Sequence, residues 1–319
     1  MAATTNTGDK GNKAGDLNRS GRNEKPLFLC TGSDRRQIYA AERLHKLCSD
    51  RADIYAYCTD GRTKNAMYIE SLDELPRSAD MLVLPIMLTP PAGAGGLTVP
   101  CAQRRLLCSD FTDYLRKGAV VSGGRMGTPM IEYFNSLGFD TADYFRREEL
   151  VIKNCVPTAE GALALAMQEL DVTVSGTRVL ICGWGRVAKA CARLFGAAGA
   201  RVCIAARKLS QLAEAQSMGH DTVRLTQLSA AAGSFPLIIN TIPAMVLTKE
   251  VLYQVCGGCL IIDLASKPGG TDFAVCSEMG IKALHALSLP GKCAPVTAGE
   301  IIADTVFNIY NERSGRNVT

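Results

Sequence analysis

Ile181-Cys182-Gly183-Trp184-Gly185-Arg186-Val187-Ala188 decides how this chain is read. The octapeptide follows the apolar run Arg178 to Cys182 and opens an alanine-rich segment that reaches about Ala198. That order is strand, glycine turn, helix, and it carries the G-x-G-x-x-A spacing of a dinucleotide site. Gly183 would allow the tight turn, Gly185 the approach of backbone to a pyrophosphate, and Ala188 close packing of helix on strand. Trp184, Arg186 and Val187 share that loop and first helical turn, whose free N–H groups and dipole would hold the phosphates.

The next strand bears on cofactor choice. Ala200-Arg201-Val202-Cys203-Ile204-Ala205 reads as the second strand of a βαβ unit. A cofactor without a 2′-phosphate usually meets an Asp or Glu about 20 residues past the glycines. Here stand Ala206, Arg207, Lys208 and Ser210: two cations and a hydroxyl that can receive a phosphate, and no carboxylate to repel one. NADP(H) is expected ahead of NAD(H).

The 319 residues suffice for two α/β domains, and a hydrophobic share of 47% lets both bury a core. The net charge of +4 is small, much of it lies in the first 25 residues, and no basic patch interleaved with aromatics argues for nucleic acid. No apolar run approaches the ~20 residues that cross a bilayer, and the N-terminus lacks a signal-peptide core, so a cytoplasmic protein is expected. Of the 13 cysteines, Cys256 and Cys259 make a C-x-x-C spacing, with no second pair or His cluster beside it. Cys30, Cys182, Cys191 and Cys203 lie in apolar segments, where Cys acts as a small hydrophobe. Reduced thiols and no metal are expected.

Working outward, residues 1–25 are polar and read as a disordered tail. From Pro26, strands at Leu27 to Cys30, Asp53 to Tyr57, Met81 to Pro85 and Gly118 to Gly123 alternate with helical segments, one from about Arg35 to Ser49. They predict a parallel-sheet domain over residues 26–150, on the substrate side. A hinge is expected near residues 146–158, then a helix capped by Thr158 and a dinucleotide-binding domain over 151–297. Its further strands are Pro236 to Asn240, Leu260 to Leu264 and Ala283 to Leu287, and a C-terminal helix over 298–319 packs back. The architecture expected is α/β: two Rossmann-like, doubly wound parallel-sheet domains with a cleft between them.

Three segments should border that cleft. Asn240-Thr241-Ile242-Pro243 ends a strand, and there Asn240, Thr241 and Pro243 could face the nicotinamide ribose or only shape their own turn. Asp263-Leu264-Ala265-Ser266-Lys267-Pro268-Gly269-Gly270 ends the next, with Ser266 and Lys267 projecting into the cleft. Leu289-Pro290-Gly291-Lys292-Cys293-Ala294-Pro295-Val296-Thr297-Ala298-Gly299 leads into the last helix, which Thr297 would cap.

Those segments, with Gly32-Ser33-Asp34, Arg36-Gln37 and Pro157-Thr158 followed by Glu160-Gly161, resemble the dipicolinate synthase A subunits over about residues 26–310. The resemblance implies oxidation of dihydrodipicolinate to pyridine-2,6-dicarboxylate in the mother-cell cytoplasm of a spore-forming bacterium. It also implies a partner, the smaller flavoprotein-like B subunit of the synthase; a homo-oligomer is compatible with it. Two departures stand out: Lys267 where relatives are expected to carry Arg, and an expanded Pro/Gly loop from Thr89 to Pro100, expected to meet the B subunit. Dihydrodipicolinate is a dianionic cyclic imine that must lose a hydride and a proton, so its site needs a hydride acceptor, a proton acceptor and cations. Arg36, Lys267 and the helix starts at Thr158 and Thr297 are expected to bind carboxylates. Lys267, Ser266, Glu160 and Asp34 are the residues expected at the reacting centre, with Glu160, Asp34 and Asp263 competing as base.

Two rivals stand beside this reading. A 2-hydroxyacid or shikimate-type dehydrogenase would need a catalytic His or a Lys/Asp pair. His45 and His220 lie away from the expected cleft and His285 sits in an apolar strand. A non-catalytic NADP-binding scaffold subunit is the other, because no acid/base pair is evident.

Overall fold

The computed structural model describes residues 24–86, 97–101 and 105–314. The tail over residues 1–23 and most of the Thr89 to Pro100 loop, together with its expected partner contact, lie outside the described residues.

Two six-stranded parallel sheets organise the chain. The first contains β1 (Leu27–Thr31), β2 (Asp53–Tyr57), β3 (Met67–Ile69) and β4 (Ala79–Ile86). A short antiparallel hairpin of β5 (Thr98–Val99) and β6 (Leu106–Leu107) precedes β7 (Leu115–Gly124) and β8 (Asp140–Asp143). The second sheet contains β9 (Arg178–Cys182), β10 (Arg201–Ala206), β11 (Asp221–Arg224), β12 (Leu237–Asn240), β13 (Leu260–Asp263) and β14 (Lys282–His285). The orders are β3-β2-β1-β4-β7-β8 and β11-β10-β9-β12-β13-β14. In each, the order reverses beside the first strand, which leaves a crevice at the strands' C-terminal ends where such sheets take ligands.

Burial explains which strands the sequence reveals. Every residue of β1, β4, β12 and β13 is buried, because helices cover both faces, so each strand carries a run of three or more apolar residues, with polar residues only near its ends. The edge strands β3, β8 and β11 are half-exposed and polar or short, and apolar patterning missed them.

The helices are α1 (Arg35–Cys48), α2 (Thr128–Ser136), α3 (Glu148–Glu169), α4 (Arg186–Ala197), α5 (Leu209–Ser217), α6 (Leu228–Ala232), α7 (Lys249–Leu252), α8 (Phe273–Glu278), α9 (Leu289–Cys293) and α10 (Pro295–Arg313). The expected helix start at Thr158 is corrected here: residues 148–158 already belong to α3, one continuous helix with Pro157 inside it. Pro157 forgoes one backbone hydrogen bond, and Glu148 and Glu149 in the first turn suit the helix dipole. By length and hydropathy alone α3 could cross a bilayer. Its Ala159, Ala162 and Ala166 instead bury in the core of the second sheet, and it packs on α4, α9 and α10.

α10 returns the chain to the first sheet. Ile301, Ile302, Val306 and Ile309 bury in one core cluster with Phe28, Cys30, Ala40 and Leu44. Gly299 makes the contact with α1 possible, since a Cβ there would lie 2.5 Å from the Arg36 carbonyl oxygen. Arg147 forks onto Glu312 through two bonds of 2.7 Å and ties the end of α10 to the start of α3.

Candidate functional site

β9 ends at Cys182, and Gly183 turns the chain with φ of +105°. The turn is fixed on three sides: Gly183 N–H donates to Ala205 O (2.8 Å), while Thr241 donates to Cys182 O from its N–H (3.0 Å) and its hydroxyl (2.8 Å). A Cβ at Gly183 would lie 2.5 Å from Thr241 Oγ1. Gly185 is the residue before α4, and a Cβ built there meets nothing within 4 Å, so its face is open to a ligand at the helix N-terminus. Ala188 is buried, as close helix–strand packing requires. Arg207, Lys208 and Ser210 are exposed at the end of β10 and the start of α5, and among the described residues no carboxylate pairs with them. This loop and helix start could hold a dinucleotide's pyrophosphate, with exposed cations at the end of β10.

Two side chains of the fingerprint point elsewhere. Trp184 is buried, and its indole donates to Glu214 (3.0 Å) while Lys189 holds the other oxygen of that carboxylate (2.6 Å). Trp184 thus joins α4 to α5, and only its backbone belongs to the turn. Arg186 faces outward and pairs with Glu148.

Asn240 and Asp263 form a closed polar network. Asn240 is fully buried; its Oδ1 accepts from Ile242 N–H (3.1 Å), and its Nδ2 donates to Ile242 O and Asp263 Oδ1 (3.0 Å each). The Asn240 side chain therefore shapes the Thr241-Ile242-Pro243 turn and is not free for a ribose. Asp263, also fully buried, accepts from Asn240, Ala265 N–H (2.9 Å), Gly270 N–H (2.9 Å) and the Thr271 hydroxyl (2.8 Å). With every lone-pair direction in use, Asp263 is a structural carboxylate and is removed as a base. It pins both ends of the 264–270 loop, which contains a cis Lys267-Pro268 bond. His285 Nε2 donates to Ala265 O at 3.1 Å and its ring stacks on Phe273, a satisfied structural imidazole.

Beside the glycine turn lies a cavity of about 610 Å³ between the two sheets. Arg36, Ile86, Arg125 and Phe145 line it from the first sheet's side, Val151, Cys155 and Thr158 from α3, and Val187, Leu264, Ser266, Lys267 and Leu289 from the second. Three cations stand among apolar walls, and no carboxylate lines the cavity among the described residues. A larger hollow of about 700 Å³ at Arg178, His220 and Asp221 opens at the N-terminal ends of β9 and β11, the wrong edge for a ligand of this fold.

Ser266, Lys267, Arg36 and Thr158 thus meet in one place, though not all as expected. Thr158 is mid-helix, its hydroxyl donating to Asn154 O (2.8 Å), so it contributes a side chain and not a helix start. Thr297 does not cap α10: Ala294 precedes the helix, and Thr297 is exposed in its first turn, outside the cavity. Glu160, two residues past Thr158 and so on another face of α3, is exposed and outside as well. Asp34 caps α1 through Arg36 N–H (3.0 Å) and grips the Arg36 guanidinium, with Nε at 2.8 Å. Arg125 carried no motif of its own in the sequence; the Gly123-Gly124 step before it, at a strand's C-terminal end, was the available signal.

No family model matches the chain. The A subunit of dipicolinate synthase from Bacillus subtilis (strain 168) is 35% identical over 286 residues, 88% of this chain and 94% of that protein. The crystal structure of the dipicolinate synthase A subunit from Bacillus halodurans superposes with a TM-score of 0.79 at 32% identity, covering 89% of this chain and 97% of that one. A transhydrogenase from Sinorhizobium meliloti, 14% identical with a TM-score of 0.68 over 90% of this chain and 94% of its own, shares the fold alone. Identity at this level over nearly the whole length, with the same two-sheet plan, places the chain in the family of dipicolinate synthase A subunits.

Proposed function

We propose that this chain oxidises dihydrodipicolinate to dipicolinate with NADP⁺, as the A subunit of a two-subunit dipicolinate synthase. The observation that carries the reading is the cavity: Arg36, Arg125 and Lys267 among apolar walls, with no lining carboxylate among the described residues and with Val187, two residues past Gly185, in its wall. A flat dianion is the ligand such a lining favours, its ring against Val187, Leu264 and Phe145 and its carboxylates on the cations.

The reaction removes a hydride and a proton from the ring and yields dipicolinate, NADPH and H⁺. A bound nicotinamide supplies the hydride acceptor. Gly183, Gly185 and the first turn of α4 would hold the pyrophosphate, Arg207, Lys208 and Ser210 the 2′-phosphate, and Thr241 with Pro243 would border the ribose. NAD⁺ is the weaker alternative. Lys267 and Ser266 would orient the substrate. Aromatisation drives proton loss, and the proton would pass to water, because the Asp34 carboxylate is engaged by Arg36 and does not line the cavity. The lack of a carboxylate or imidazole on the described lining favours a second reading, in which the B subunit supplies the proton acceptor. The setting is the mother-cell cytoplasm of a spore former.

The test is an absorbance assay for dipicolinate on freshly generated dihydrodipicolinate and NADP⁺, with the chain alone and co-expressed with its B subunit. Turnover that Lys267→Met suppresses by raising KM is expected. Absence of dipicolinate in every combination would overturn the reading.

A further inference from the structure

We propose that Arg125, not Arg36, is the first sheet's carboxylate anchor, and that Arg125 and Lys267 together make the cavity selective for a dicarboxylate. This rests on the function proposed above. Two arginines reach the cavity from the first sheet, in opposite electrostatic situations. Arg36 is only 5% exposed, and its Nε and Nη2 are already committed to Asp34. Arg125 is exposed within the cavity, and among the described residues no carboxylate pairs with its guanidinium.

Its backbone is also arranged for presentation. Arg125 follows β7 with φ of +55°, a conformation uncommon for any residue but glycine. One carboxylate holds it there: Asp143 Oδ1 accepts from Arg125 N–H (2.9 Å) and Oδ2 from Met126 N–H (3.2 Å). The same Asp143 Oδ1 accepts from Phe145 N–H (2.8 Å), and the Phe145 ring centre lies 5.2 Å from the Arg125 guanidinium carbon. Asp143 thus positions both the cation and the ring that orients its planar fork. An exposed guanidinium beside an aromatic ring, with no carboxylate partner among the described residues, suits a carboxylate. Lys267, likewise without an ion-pair partner among the described residues, offers the second charge from the other sheet.

The experiment is calorimetric titration of the full chain with dipicolinate and with picolinate, which has one carboxylate. Arg125→Met is compared with Arg125→Asn, whose side chain tolerates the left-handed backbone. NADP⁺ affinity is measured alongside to report on folding. The parent is expected to bind dipicolinate the tighter. Both variants should lose roughly tenfold or more for dipicolinate, lose less for picolinate, and keep NADP⁺ affinity. Unchanged dipicolinate binding, or an equal loss for both ligands, would overturn the role of Arg125 while leaving the proposed function standing. A parent chain that binds NADP⁺ but not dipicolinate would overturn both.

Discussion

Asp263→Asn separates a structural carboxylate from a catalytic one. In the native loop Oδ1 takes bonds from Asn240 and Ala265, and Oδ2 takes bonds from Gly270 and Thr271, all between 2.8 and 3.0 Å. The amide keeps one acceptor and places an NH₂ against two of these four donors, whichever way it turns. The Thr271 hydroxyl can rotate away, but the backbone N–H groups cannot. Charge-assisted bonds contribute about 1.5–3 kcal/mol each. Losing two of them should cost about 3–6 kcal/mol. At about 2–4 °C per kcal/mol the unfolding midpoint falls roughly 6–24 °C. Circular dichroism during heating measures it, alongside steady-state kinetics at low temperature. There KM for the dicarboxylate should rise, because the loop that bears Ser266 and Lys267 has lost its pin, while kcat survives in part. A variant with an unchanged midpoint and no kcat would refute the reasoning and return Asp263 to the role of base.

Other outcomes follow from the same geometry. Gly183→Ala should weaken dinucleotide binding by about tenfold or more, since the methyl meets Thr241 Oγ1 at 2.5 Å and positive φ strains a non-glycine residue by about 1–3 kcal/mol; calorimetry on the folded variant checks it. Arg207→Ala should erase a preference for NADP⁺ over NAD⁺ equivalent to about 1.5–3 kcal/mol, and equal affinities in the parent would remove the assignment. Burial pushes the Cys182 and Cys191 thiols up to about 12, whereas Cys293 is exposed. A thiol reagent at mildly alkaline pH should therefore reach Cys293 first and the two buried thiols only after denaturant is added.

How much of this was legible in the sequence depends on where each residue sits. The glycine fingerprint and the buried strands were readable because both-face burial writes an unbroken apolar run and a tight turn demands glycine. Asp140-Thr141-Ala142-Asp143 was unreadable as a strand: it is an edge, half-exposed, with no apolar side to show. Pro157 misled because proline favours the first turn of helices, whereas here α3 carries it mid-length. Asn240 and Asp263 illustrate the same limit at strand ends, where a polar side chain can face the crevice or close a network beneath it. Pairing between distant segments separates those cases, as it separates Arg36, held by Asp34, from Arg125.

Hydride transfer from the dihydropyridine ring to a nicotinamide held by this chain ties the two products together one to one. Its most direct measurement follows reduced nicotinamide and dipicolinate together, in one sample of the co-expressed subunits given dihydrodipicolinate and NADP⁺. Equal molar amounts of the two products are expected throughout the reaction, both suppressed by Lys267→Met. Dipicolinate formed without NADPH would contradict it.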